Sequence, residues 1–328
     1  MNNRVRCDFC YHMCRLKEGQ KGVCGTRKRV GDAIVTTNYG QVVASHTDPI
    51  EKKPLYHFFP GEMTFSFALF GCNYTCKFCQ NHHLSQKESP LYHQQFPTIS
   101  PKKLVKEMEN SQSKIMSYTY SDPVVWLDYV EDVATEVKQR KKYNSMITNG
   151  SFSPSSLQRM LPLIDAFNID VKGSNDFYKE YSGGALEPVL ESVETIAHYP
   201  NTILEVTTLL IEGVHTIGEI VELAKQLHQR EVKVWHLSRF YPQYKMKHYP
   251  QTSESFLQEV VREVKDVGIP YIYTGNSLQV EHLSTYCPSC HEKIISRDYM
   301  ALQHSLLNEG TCPFCSEEIY GRFHSTSL

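Results

Sequence analysis

The chain has 328 residues, enough for one barrel-sized domain with small appendages, and its 41% hydrophobic and 21% charged residues are those of an ordinary globular protein. A formal net charge of −2 excludes a strong overall attraction to nucleic acid or to anionic membranes. The start, Met1-Asn2-Asn3-Arg4-Val5-Arg6, lacks a signal-peptide stretch, no later run is long enough to cross a membrane, and an odd total of eleven cysteines fits metal-ligating thiols in a reducing cytoplasm better than a disulfide framework.

Residues 1–58 read as an N-terminal metal module followed by a linker. Cys7, Cys10, Cys14 and Cys24 make a four-thiolate set that suits zinc or an auxiliary iron–sulfur cluster. The surrounding residues 1–32 carry eight Lys or Arg against three Asp or Glu, so this module is locally basic, either as a functional patch or as solvated surface. Glu51, Lys52, Lys53 and His57 either line the substrate side of a site or form an exposed charged linker.

From residue 59 to 283, apolar runs alternate with amphipathic helices. The predicted strands are Thr64–Phe70, Ile115–Tyr120, Ser145–Thr148, Ile164–Val171, Ile203–Leu210, Val232–Leu237 and Tyr271–Thr274. Ser100-Pro101, Asp122-Pro123 and Ser153-Pro154 each pair an N-cap with a proline at the first helical position, and Thr216 with Glu219 forms a capping box. A last helix runs from about Ser253 to Val267 and stops at Gly268. Repeated β/α units predict parallel strands covered by helices, in a barrel or a doubly wound sheet, with the working groups at the C-terminal strand ends.

Cys72, Cys76 and Cys79 follow the first of these strands with the spacing C-x3-C-x2-C, one ligand short of a closed metal site. Gly71 permits a tight turn before them. Zinc completed by His82 or His83 is the competing reading of the same loop. Polar groups recur at later strand ends: Ser121 and Asp122, Thr148 and Asn149, Asp170 and Lys172, and His236. Asp122 also suits a simple helix cap, Asp170 and Lys172 a buried ion pair, and His236 a core histidine. Hydroxyl and amide groups at Thr148 and Asn149 suit ribose or carboxylate binding.

Residues 284–328 hold Cys287-x2-Cys290 and Cys312-x2-Cys315, with proline after the first cysteine of each pair. Two such knuckles predict a zinc ribbon-like module that depends on its metal for folding.

The Cys72 loop resembles the radical S-adenosylmethionine (SAM) superfamily. Together with Gly19–Gly25, Asp48–Phe58, Tyr118–Pro123, Asn168–Gly173, Glu205–Thr208 and Gly275-Asn276, it resembles the AmmeMemoRadiSam-system subgroup, related to pyruvate formate-lyase activating enzyme. The resemblance covers essentially the whole chain. It implies a partial (β/α)6-type TIM barrel, a [4Fe–4S] cluster on Cys72, Cys76 and Cys79, and SAM chelated at the open iron. Reductive cleavage to a 5′-deoxyadenosyl radical and hydrogen abstraction from an unidentified substrate would follow. Phe78 matches the aromatic beside adenine, Ser121 and Asp122 stand where a glycine-glycine-glutamate segment meets the SAM amino group, and His236 resembles a histidine near SAM. Asp170 would accept from ribose hydroxyls and Lys172 would neutralise the SAM carboxylate. The implied partners are an external electron donor such as flavodoxin or ferredoxin and Memo-type and AMMECR-type companion proteins. The substrate readings are a partner enzyme activated by a glycyl radical, a metabolite or peptide, and RNA, which the net charge disfavours. A non-enzymatic zinc-binding interaction protein is the remaining alternative.

Overall fold

The computed structural model describes residues 4–277, 279–298 and 301–324. The first three residues assigned to the N-terminal module, and residues 299, 300 and 325–328 of the C-terminal one, lie outside the described residues.

One eight-stranded sheet organises the chain. Met63–Leu69, Ile115–Tyr118, Tyr143–Thr148, Ala166–Asp170, Ile203–Leu210, Val234–Arg239 and Tyr271–Gly275 lie side by side in chain order, all parallel. Because the order never reverses, there is no topological switch point, and the doubly wound alternative is excluded. The crossovers carry helices and leave an open partial barrel, as the family resemblance implied. All seven predicted strands are present, with boundaries displaced by a residue or two.

An eighth strand, Val42–Pro49, was not predicted. It runs antiparallel along Met63–Leu69 at the sheet edge. Its middle, Ser45-His46-Thr47-Asp48, is polar and largely exposed, so it lacks the apolar run that marks a buried parallel strand. Residues 42–58 therefore belong structurally to the barrel.

The caps behave as the sequence implies. Ser100 accepts from the Lys103 N–H at the start of Pro101–Asn110, and Ser153 and Thr216 both form capping boxes. Asp122 caps a 3-10 turn, Pro123–Trp126, that leads into the helix Leu127–Gln139. A helix at Glu187–Ala197, unmarked by a cap, covers the fourth crossover. The last helix, Glu254–Val264, continues as a 3-10 turn to Val267 and ends at Gly268, whose φ of 108° suits glycine.

The two faces of the sheet do different work. Outward, Phe67, Tyr118, Met146, Phe167 and Val206 are fully buried against helical residues such as Val133, Val193 and Leu223. Each such side chain contributes about 1.5–3 kcal/mol by leaving water. Inward, the bottom layer is apolar: Ile115, Ala166 and Ile203 pack on Ile50, Leu55 and Phe58. Above it the barrel interior turns polar, with Ser117 and Ser145 hydroxyls 2.6 Å apart and Asn168, Glu205 and His236 on neighbouring strands.

Those buried polar groups draw residues 50–59 into the barrel as a plug. Asn168 Nδ2 donates to the Pro54 carbonyl at 2.7 Å, and Glu205 accepts the N–H groups of Tyr56 and His57 at 3.0 and 2.7 Å. The C-terminal module braces the plug from below. Arg322 N donates to the His57 carbonyl, Arg322 Nη1 pairs with Asp165, and Tyr320 OH accepts from Leu204 N. Arg297, 1% exposed, bonds the carbonyls of Tyr56 and Leu283 and the Thr285 hydroxyl. No helix among the described residues is long and apolar enough to cross a membrane.

Candidate active site

A cavity of about 700 Å³ opens at the C-terminal ends of the strands. Its wall includes Cys72, Cys76, Cys79, Phe78, Ser121, Asp122, Thr148, Asn149, Asp170, Lys172 and His236, all of which the sequence had singled out. Parallel strands of equal register deliver these side chains to one level.

The cysteine loop is held tightly. Gly71 has φ 121°, and a Cβ there would meet Thr26 of the N-terminal module at 2.7 Å. Thr75 N and Lys77 N bond the carbonyls of Ser182 and Tyr181, and a Cβ on Gly184 would meet the Tyr74 ring at 2.5 Å. Tyr74 N donates to Cys72 Sγ at 3.3 Å, and Ser85 Oγ lies 3.3 Å from Cys79 Sγ. His82 is engaged elsewhere: its Nδ1 lies 3.2 Å from the Cys79 carbonyl and its ring stacks on Tyr244.

Asp122 is a clamp as well as a cap. Its Oδ1 accepts from Val124 N and from Thr148 Oγ1 at 2.9 Å, and its Oδ2 accepts from Asn149 N at 2.9 Å. Burial raises its carboxyl above the usual carboxylate range despite those donors. The Ser121 hydroxyl is committed to the Leu69 carbonyl and to Trp126 Nε1. Lys172 Nζ pairs with Asp170 at 2.9 Å. Burial works against its charge, but Asp170 and then Cys76 hold its pKa above the ordinary lysine value. Beneath it, His215 Nε2–H donates to the Lys172 carbonyl and its Nδ1 accepts from Ile211 N.

On the opposite wall, His236 Nε2–H donates to Glu205 at 2.7 Å, and the ring stacks on Tyr273. Glu205 stays below the usual glutamate range: burial opposes this, but His236, His57 and the Tyr56 N–H outweigh it. Glu51, Lys52 and Lys53 also face the cavity. Lys53 pairs with Asp48 at 3.1 Å, and Glu51 Oε2 is buried without a partner. His57 does not reach the cavity; its Nε2 accepts from Tyr273 OH and its Nδ1–H donates to the Tyr320 carbonyl. Sequence reasoning missed Asn73 and gave Glu205 no role. Nothing in either residue's local pattern marks the contact it makes across the barrel.

Among the described residues, one group of three or more His, Cys, Asp or Glu gathers its ligand atoms within 4.8 Å: Cys287, Cys290, Cys312 and Cys315. Zinc–sulfur bonds of about 2.3 Å place tetrahedral thiolates roughly 3.8 Å apart, which this set matches. The Cys72 triad is more open, as a cubane that spreads its thiolates over separate irons requires. With the amide donor of Asn149 3.9 Å from Cys72 Sγ, the loop fits such a cluster.

The fold, the open three-thiol loop and the polar strand ends define a radical SAM enzyme. Residues 68–227 match the radical SAM superfamily, and the chain belongs to it. It is 34% identical to an uncharacterized protein of Methanocaldococcus jannaschii over 324 residues, 97% of this chain and 96% of that one. Among solved structures, Streptococcus suis SuiB bound to its precursor peptide SuiA gives a TM-score of 0.47 at 11% identity, over 66% of this chain and 48% of SuiB. TYW1 with a lysine–pyruvate adduct gives 0.49 at 14%, over 65% and 76%. A domain of a Bacteroides vulgatus pyruvate-formate lyase-activating enzyme gives 0.43 at 16%, over 49% and 98%.

Proposed function

We propose that Cys72, Cys76 and Cys79 hold a [4Fe–4S] cluster, that SAM occupies the cavity beside it, and that a small substrate or a single peptide side chain loses a hydrogen atom there. When bound, the cluster supplies the electron that breaks a C–S bond of the SAM sulfonium. The observation that carries this reading is the convergence of three thiols and eight further predicted residues on one cavity.

The protein's own groups bind and orient. Lys172, kept charged by Asp170, offers a cation for the SAM carboxylate. Asp170, Thr148 and Asn149 offer hydrogen bonds to ribose, and Phe78 a face for adenine. Asp122 keeps Thr148 and Asn149 in register, and Ser121 fixes the turn between them and the first strand. His236, oriented by Glu205, lines the same cavity, as do Glu51 and Lys53. The plug closes the floor, and the volume lies within the range of small-molecule sites.

The Glu51–Phe58 block supports membership of the AmmeMemoRadiSam-system subgroup, with Memo-type and AMMECR-type companions and a flavodoxin- or ferredoxin-like donor. The spacing of Cys287, Cys290, Cys312 and Cys315 supports structural zinc there. The domain reading is an N-terminal metal module and linker in 1–58, the linker's residues 42–58 packing on and into the barrel, then the barrel in 59–283 and a ribbon-like module in 284–328.

Anaerobically reconstituted protein, given dithionite and SAM, is expected to release methionine and 5′-deoxyadenosine, and Cys76→Ala to release neither. A reconstituted protein with a [4Fe–4S] spectrum and no deoxyadenosine overturns the reading.

A further inference from the structure

Cys7, Cys10, Cys14 and Cys24 sit on top of the barrel, directly against the Cys72 loop. Cys10 forms a bridge with Phe152, just past the third parallel strand, and Tyr11 N bonds the Ser151 carbonyl. His12 Nε2 lies 3.2 Å from the Asn73 carbonyl. The N-terminal hairpin of Arg27–Val30 and Ala33–Thr36 is anchored by Arg27, 1% exposed, which donates to the Val125 carbonyl and pairs with Asp128.

Two features of this junction bear on what the four cysteines hold. Among the described residues, no three of their sulfurs gather within 4.8 Å of one another, nor do those of Cys72, Cys76 and Cys79, whereas the C-terminal four do. A single tetrahedral zinc pulls its four thiolates to about 3.8 Å from one another, whereas an iron–sulfur cluster holds them further apart. The second feature is a hydrogen-bonded path between the two sets. His12, two residues after Cys10, sets its Nε2 3.2 Å from the Asn73 carbonyl, and the Asn73 side chain donates to Ser151 Oγ at 2.7 Å. Its Oδ1 accepts from Asn149 Nδ2 at 2.9 Å, and the same Nδ2 lies 3.9 Å from Cys72 Sγ. His12, Asn73 and Asn149 thus connect the N-terminal cysteine module to a thiol of the radical SAM loop. A structural zinc module needs no such connection.

We propose that Cys7, Cys10, Cys14 and Cys24 hold an iron–sulfur cluster that passes electrons to the Cys72 site through the Asn73–Asn149 contact. In this relay an external one-electron carrier is oxidised and the N-terminal cluster reduced. That cluster is then reoxidised as the Cys72 cluster is reduced, and the two steps make or break no bond and move no proton. The proposal rests on the Cys72 site holding a cluster, but its test does not depend on SAM cleavage.

The test is metal and sulfide analysis with 57Fe Mössbauer spectroscopy on anaerobically prepared full-length protein. The expected result is about eight irons with matching sulfide, together with one zinc assigned to the C-terminal set. A Cys72→Ala/Cys76→Ala/Cys79→Ala protein should keep about four irons, and a Cys7→Ser/Cys10→Ser protein should lose about four while keeping the SAM-perturbed EPR signal of the remaining cluster. About four irons and two zincs in the unaltered protein overturns the proposal, whether or not the variants fold. Asn73→Leu tests the path: iron content should stay unchanged while dithionite reduces the Cys72 cluster more slowly in stopped-flow. An unchanged reduction rate removes the relay. Absence of deoxyadenosine with eight irons present would count against the function proposed above and not against this cluster.

Discussion

Arg297 offers a sharp test of how the C-terminal module supports the cavity. Its guanidinium is buried and holds the Tyr56 carbonyl at 2.7 Å, the Thr285 hydroxyl at 2.8 Å and the Leu283 carbonyl at 3.2 Å, with Glu51 3.7 Å away. Arg297→Met fills much of the same space but removes the charge and all three bonds. Glu51 is then left as an uncompensated buried carboxyl, already pushed above its usual range by burial. Breaking a buried pair from one side costs about 3–5 kcal/mol. Glu51→Gln alone should cost less, because its Gly61 N–H bond at 2.8 Å survives with an amide oxygen. In the double variant the stranded charge is gone, so the losses should be sub-additive, with a coupling of about 1–3 kcal/mol. Urea unfolding of the four proteins, matched for metal content, measures this cycle. An Arg297→Met loss below about 1 kcal/mol, or strict additivity with Glu51→Gln, would refute the claim that this pair ties the module to the plug.

Three further outcomes are expected. His57 and His215 have pKa values pushed down to about 4 by burial, against about 6.5 when unfolded. The unfolded chain takes up protons that the folded one refuses, so stability is complete above the unfolded value and falls as pH drops toward 4. Each histidine removes about 2 kcal/mol by pH 5, and His215→Gln should flatten the pH dependence of urea unfolding by that amount. Gly71→Ala drives a Cβ toward Thr26 at a φ that disfavours side chains; it should lower the iron content of reconstituted protein and cost about 1–3 kcal/mol in thermal unfolding. Cys290→Ser should release the zinc proposed for the C-terminal set and expose Tyr56, Tyr271 and Ile294, seen as a separate low-temperature transition in calorimetry, because structural zinc supplies about 10–16 kcal/mol of apparent binding energy.

Much of this was legible in the residues because the physics was local. Capping boxes and apolar parallel strands act over a few positions, so Thr216–Glu219 and the run at Ile203–Leu210 declared themselves. The Cys72 loop was legible for the same reason, its three cysteines spanning eight positions end to end. What stayed hidden is long-range. Val42–Pro49 is a strand because Met63–Leu69 offers an unpaired edge, and its own sequence reads as a linker. Glu205 looks like a charge misplaced in an apolar strand until the plug supplies two N–H donors. His57, weighed between the cavity wall and an exposed linker, takes neither place, its buried ring being spent between Tyr273 and Tyr320. Asp122 takes the cap that its sequence suggested, and its clamp on Thr148 and Asn149, which no local pattern marks, is a second use of the same carboxylate.

The floor of the cavity also sets an order of events. The plug is fastened by groups far along the chain: His57 bonds Tyr320 across 263 positions, and Arg297 reaches Tyr56 across 241. Contacts so distant in sequence are slow to form, since the intervening chain must be ordered first. During synthesis the strands, the cysteine loop and the N-terminal module emerge well before these fasteners. For that interval the cavity floor lacks the two contacts that fasten it, so sealing the pocket from below is among the last events of folding.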